Sequence, residues 1–128
     1  MKTSDVMTRG KFFKHRDRMI LNLDFSDLDI DDAGQVCDYV KGVISRMPLG
    51  TVLTLVNVTN VRYNQAFRKF SDELAEHNKP YVLAGAVVGV EGWKKMIFWA
   101  TTKLTGRSNL KAFDSIEEAK EWLVNYKA

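Results

Sequence analysis

The sequence predicts an α/β domain: a mixed β-sheet of about five strands, an amino-terminal hairpin followed by parallel strands, flanked by four α-helices. Three observations carry this. The runs Thr51–Val58 and Tyr81–Val90 are rich in β-branched and small apolar residues, as strands covered on both faces are. Helical periodicities lie between and after them. The order β-β-α-β-α-β-α-β-α then fits right-handed crossovers between parallel strands. With 128 residues the chain is one domain's worth, residues 1–128, without linker, repeat or low-complexity segment.

The elements follow in order. Phe12–His15 and Met19–Phe25 form the hairpin around Arg16-Asp17-Arg18, with Ile20, Leu21, Leu23 and Phe25 burying at least one face. Asp31 or Asp32 then caps a helix, with Gln35 at the capping-box position if Asp32 is the cap. Ala33, Val36, Cys37, Val40, Val43, Ile44 and Met47 make its apolar stripe, and Pro48-Leu49-Gly50 stops it. The strand Thr51–Val58 is expected at the sheet centre. A second helix runs from about Asn64 to His77 with Ala66, Phe67, Phe70 and Leu74 inward, and Lys79-Pro80 breaks it. After the strand Tyr81–Val90, a third helix spans Trp93 to about Leu104 and ends at Gly106. A short strand at Leu110–Phe113 precedes a capping box, Ser115 to Glu118, and a last helix with Ile116, Ala119, Trp122, Leu123 and Tyr126 inward.

The net charge of +3 is too small to indicate a nucleic-acid binder, and none is expected. Its distribution is blocky: residues 21–40 carry six Asp and no base, and residues 41–70 five bases and no acid. Opposite-signed faces of this kind suit docking to a charged partner or are solvated helix surfaces. The first eighteen residues lack the apolar core of a signal peptide, and the longest apolar run is about half a membrane span. A cytoplasmic protein without a transmembrane segment is expected. Cys37 is the single cysteine, which excludes an internal disulfide and a Cys-rich metal site.

Several stretches resemble the SpoIIAA-like branch of the STAS superfamily (sulfate transporter and anti-sigma-factor antagonist), itself related in fold to Sec14-type lipid-binding domains. They are Met19–Phe25, Val87-Val88-Gly89-Val90-Glu91-Gly92-Trp93, Leu104-Thr105-Gly106-Arg107 and Phe113 to Leu123. The resemblance implies a cytoplasmic, often dimeric module that binds partners or small ligands. Anti-sigma-factor antagonists carry a phosphorylatable Ser in an Asp-Ser-Ser-Gly-type turn. The matching stretch, Asn57 to Gln65, lacks that motif. Thr59 is its hydroxyl candidate for phosphorylation besides Tyr63, and it reads better as a strand-end threonine.

Candidate chemistry is thin. Asp27, Asp29 and Asp31 match three alternate ligands of a calcium loop, but the glycine at the sixth position is Asp32 and the bidentate Glu is replaced by Asp38. A capping acidic loop is the better reading, and no metal or other cofactor is expected. The glycines from Gly85 to Gly92 match neither a P-loop nor a dinucleotide fingerprint, although Gly92 with Lys94 and Lys95 could hold an anion. Gly85 within a strand marks a close backbone approach or a bulge. His15 and His77 have no evident nucleophile partner, and Cys37 on a buried stripe is a small hydrophobe, so no catalytic residue is assigned. In the third helix Phe98 and Trp99 lie about 140° and −120° from Trp93, so both cannot share its core face. They close over an apolar cavity, pack under a loop or form an interface. The expected role is therefore non-enzymatic docking to a protein partner or self-association as a homodimer. Its surface comprises Thr59, Asn60, Tyr63, Asn64, Gly92, Trp93, Lys94, Lys95, Phe98 and Trp99. The alternative is a carrier or sensor of a lipid or other apolar ligand, with a pocket between the sheet and the third helix.

Overall fold

The computed structural model describes residues 2–62, 64–91 and 108–127. A five-stranded mixed sheet runs in the order β1 (Gly10–His15), β2 (Arg18–Asp24), β3 (Val52–Asn57), β4 (Val82–Val88), β5 (Leu110–Phe113). β1 pairs with β2 antiparallel, and the remaining neighbours are parallel. The four helices of the described residues are α1 (Thr3–Arg9), α2 (Ile30–Ile44), α3 (Gln65–Asn78) and α4 (Ile116–Asn125). The predicted fold class is therefore observed, with β3 at the centre. The expected third helix, Trp93–Leu104, lies outside the described residues, and α1 stands in a segment where no element was expected. Its one buried residue, Val6, joins the core, and Arg9 Nη1 donates to the Ser26 carbonyl at 2.7 Å.

Side-chain alternation divides the sheet into two faces. Leu21, Leu23, Val52 and Val82 face α1, α2 and α3, whereas Ile20, Leu53, Leu55, Ala84 and Ala86 face α4. The α2 stripe is as predicted at Ala33, Val36, Cys37, Val40 and Ile44, all buried, each Val or Ile worth about 1.5–3 kcal/mol of burial.

Four details differ from the sequence reading. Asp29, not Asp31 or Asp32, caps α2, because its carboxylate accepts from Asp32 N at 2.9 Å, so the helix opens two or three residues early and Gln35 closes no capping box. α2 also ends at Ile44, short of Met47. Ala66 is exposed, since only the side of α3 bearing Phe67, Phe70 and Leu74 meets the core. Ile116 is exposed at the first turn of α4, where Ser115 caps by accepting from Glu118 N. No helix of the described residues is long and apolar enough to cross a membrane.

Candidate functional site

Two features of the sheet are built for more than packing. The first lies at the carboxyl ends of β2 and β3, where open α/β sheets present their loops. The sequences leaving the two strands share one pattern: Asp24-Phe25-Ser26-Asp27 and Asn57-Val58-Thr59-Asn60. Asp24 Oδ1 accepts from Ser26 N at 3.0 Å and Ser26 Oγ at 2.6 Å; Asn57 Oδ1 accepts from Thr59 N at 3.0 Å and Thr59 Oγ1 at 2.6 Å. Each turn ends in a left-handed residue, Asp27 (φ 62°) and Asn60 (φ 58°), types that tolerate this region. The turns stack in register: Asp24 pairs with Asn57, Asp27 N donates to the Thr59 carbonyl, and Asn60 Nδ2 donates to Asp27 Oδ1 at 2.9 Å. Gly89 (φ 95°) packs against the Thr59 backbone on the other side. The Thr59 hydroxyl is thus committed to Asn57 and pressed on Gly89, and a kinase would have to open the turn to reach it.

The second feature is a slot between the sheet and α3, with a cavity of about 80 Å³. Its sheet wall includes Leu23, Thr54, Val56, Gly85 and Val87, and its helix wall Phe67, Phe70, Leu74 and Asn78. Phe70 stands edge-on to Phe25, ring centroids 5.2 Å apart, and 6.0 Å from Phe67, which fixes the aromatic end of the slot. Gly85 makes room: a Cβ there would come within 2.7 Å of Leu110 Cδ2 and 2.8 Å of Thr54 Oγ1. This is the close approach expected of a glycine inside a strand.

The mostly apolar lining includes four polar residues, Thr54, Ser71, Asn78 and Lys79, of which Thr54 and Asn78 are buried. Thr54 is 4% exposed and Asn78 7%. Asn78 Oδ1 accepts from His77 Nδ1 at 2.9 Å, while neither the Asn78 amide nitrogen nor the Thr54 hydroxyl has a hydrogen-bond partner among the described residues. No side-chain nitrogen or oxygen among those residues is both sealed and unpaired, so these two groups open onto the slot. Desolvating them without a partner would cost about 1–3 kcal/mol each.

The expected surface is only partly in view. Thr59 and Asn60 belong to the paired turns, and Asn64 caps α3 by accepting from Phe67 N at 2.9 Å. Tyr63, Gly92, Trp93, Lys94, Lys95, Phe98 and Trp99 lie outside the described residues. Sequence reasoning passed over Thr54 and Asn78. A threonine in a β-branched strand and an asparagine at a helix end carry no signal of burial, whereas the repeated Asx-x-Ser/Thr-Asx pattern was there to be read.

The remaining reactive groups are occupied elsewhere. Cys37 lies on the core stripe of α2, and burial pushes its thiol up to about 11. His15 Nε2 lies 2.9 Å from Glu121 Oε2, and Arg16 also bonds Glu121, tying the hairpin turn to α4. The Glu121 carboxyl is lowered below the usual glutamate range, first by the His15 hydrogen bond and then by the Arg16 charge. Among the described residues no group of three or more His, Cys, Asp or Glu is arranged to hold a metal ion. Comparison with family models, curated proteins and solved structures finds no match to this chain.

Proposed function

We propose that this chain is a binding module whose slot between the sheet and α3 takes a small, mostly apolar molecule. The observation that carries the reading is the pairing of an apolar wall with two unpaired polar groups, Thr54 and Asn78, that a bound molecule can satisfy. Its action is then carriage or sensing without bond chemistry. The slot lies against α3, so the pocket is assigned to the second predicted helix in place of the third. The resemblance to STAS domains, with their binding roles, supports the same reading.

Native mass spectrometry of protein purified without denaturation tests it. A small molecule bound one per chain, and lost when Ala75→Leu fills the slot, is the expected result. Protein that carries nothing, and whose melting temperature no apolar amphiphile raises, overturns it.

A second reading, docking to a protein or to a second copy through the Asn57–Gln65 turn, is favoured by the paired turns, which hold Asn60 and Arg62 exposed on a rigid base. Asn60→Ala and Arg62→Ala would weaken self-association or partner capture; unchanged association in both variants removes it. A cytoplasmic location accords with both readings.

A further inference from the structure

We infer that the chain self-associates head to tail, the loop tip Pro48-Leu49-Gly50 of one copy entering a recess at the carboxyl ends of β4 and β5 of the next. The inference does not depend on what the slot holds. It differs from docking through the Asn57–Gln65 turn in needing Leu49.

The loop is a rigid apolar knob between cations. Leu49 is 70% exposed, more than any other large apolar side chain of the described residues. Gly50 N donates to the Pro80 carbonyl at 2.9 Å, Thr51 N to the Tyr81 carbonyl at 3.0 Å, and the Thr51 hydroxyl to the Pro48 carbonyl at 2.7 Å. Gly50 takes the left-handed φ of 68° at the turn. A side chain held out on so fixed a base loses little freedom when it docks. Arg46 lies three residues before Leu49, and Lys79 precedes Pro80. Both are exposed, and neither has an ion pair among the described residues.

The recess is the complement of this knob. It is lined by apolar Val88, Phe113 and Ile116 together with three acids, Glu91, Asp114 and Glu117, and by no Lys or Arg among the described residues. Its volume of about 490 Å³ is roughly three times the ~150 Å³ of an engineered cavity that admits benzene, which leaves room for a leucine side chain and its flanking proline. Ile116, on the predicted inward stripe of α4, is 41% exposed here. The Glu117 carboxylate lies 3.7 Å from Lys120 but is 80% exposed, a pairing too weak to keep it from a second cation.

Knob and recess stand at opposite ends of the sheet. The six residues of β3, about 20 Å at 3.3 Å each, separate the loop before that strand from the ends of its neighbours. The loop therefore cannot enter the recess of its own chain, whereas a second copy can supply it. Charge selects the same pairing, because knob against knob would set Arg46 and Lys79 against their own kind. Such a contact is heterologous, so copies add in line unless their rotation closes a ring.

Sedimentation equilibrium of the full chain from about 10 μM to about 1 mM, the range suited to a small, weak contact, tests the inference. The parent should associate as concentration rises, and Leu49→Asp or Ile116→Lys should weaken association by about tenfold or more. Both positions are exposed, circular dichroism checks that each variant is folded, and Arg46→Glu and Glu117→Lys serve as second variants of the two surfaces. The mixture is decisive. Leu49→Asp keeps an intact recess and Ile116→Lys an intact knob, so together they should form a one-to-one pair that grows no further. A parent that stays monomeric, association that survives Leu49→Asp, or a mixture without the pair overturns the inference. So does a monomeric parent that binds vesicles of phosphatidylcholine and phosphatidylserine through Leu49, which would assign the loop to a lipid surface.

Discussion

Gly85 and Thr54 face each other across the β3–β4 ladder so closely that a single methyl group on Gly85 would stand 2.8 Å from the threonine hydroxyl oxygen. The absent side chain is what leaves room for Thr54 and Leu110 at this point of the slot wall. Gly85→Ala should therefore narrow the slot and force Thr54 and Leu110 to shift. Overpacking of this kind costs about 1–3 kcal/mol. Urea denaturation should show that loss, and calorimetry should show weakened uptake of a small apolar molecule that the parent binds. A variant as stable and as ligand-competent as the parent would contradict the assigned role of Gly85.

Gly89 on one side and Gly34 and Gly42 on the other differ in what a side chain would meet. Gly89 has φ 95° and an added Cβ would collide with the Thr59 backbone, which cannot swing away as a side chain can. Gly34 and Gly42 lie within α2 with nothing within 4 Å of an added Cβ. Gly89→Ala should cost about 2 kcal/mol or more, while Gly34→Ala and Gly42→Ala should each raise stability by about 0.4–1 kcal/mol. Chemical denaturation of the three variants checks the opposite signs.

Glu121 links stability to acid pH. Its folded-state carboxyl is lowered, so the stabilisation by His15 and Arg16 is present above the usual glutamate range and lost as pH falls through the lowered value. Glu121→Gln should flatten that part of the stability profile, lowering stability near neutrality, where the contact is formed, and changing little at acid pH, where it is already lost. A carboxyl-carbon NMR titration of Glu121 gives the direct reading, and a midpoint at or above the ordinary glutamate value would contradict the contact.

Cys37 should be inert in the folded chain. Its thiol is buried and pushed up to about 11, so little thiolate exists near neutral pH. Labelling with a thiol-reactive dye should proceed at the rate of unfolding and accelerate with denaturant. Rapid labelling of native protein would mean that α2 opens locally.

The sheet and most helix positions were legible because burial imposes period and composition. Val36, Val40 and Ile44 fall on one stripe, and Val52 to Leu55 are buried from both sides. What was not legible depends on partners distant in sequence. α1 buries only Val6 and is fastened by Arg9 to Ser26, seventeen residues away. Such a helix leaves no periodic trace. Asn78 is buried because α3 lies along the sheet, a fact no local pattern contains. The cap of α2 was displaced for a simpler reason, since Asp29, Asp31 and Asp32 are chemically equivalent candidates and backbone geometry alone chooses among them.

The unequal covering of the sheet has a consequence for synthesis on the ribosome. Among the described helices α4 alone lies on the face formed by Ile20, Leu53, Leu55, Ala84 and Ala86, and it follows all the other described elements in the chain. Until Ala119 and Leu123 emerge from the exit tunnel, a nascent chain with its first four strands formed would present that greasy surface without the cover of α4. Chaperone engagement, or premature clustering of neighbouring nascent chains, would be concentrated in that interval.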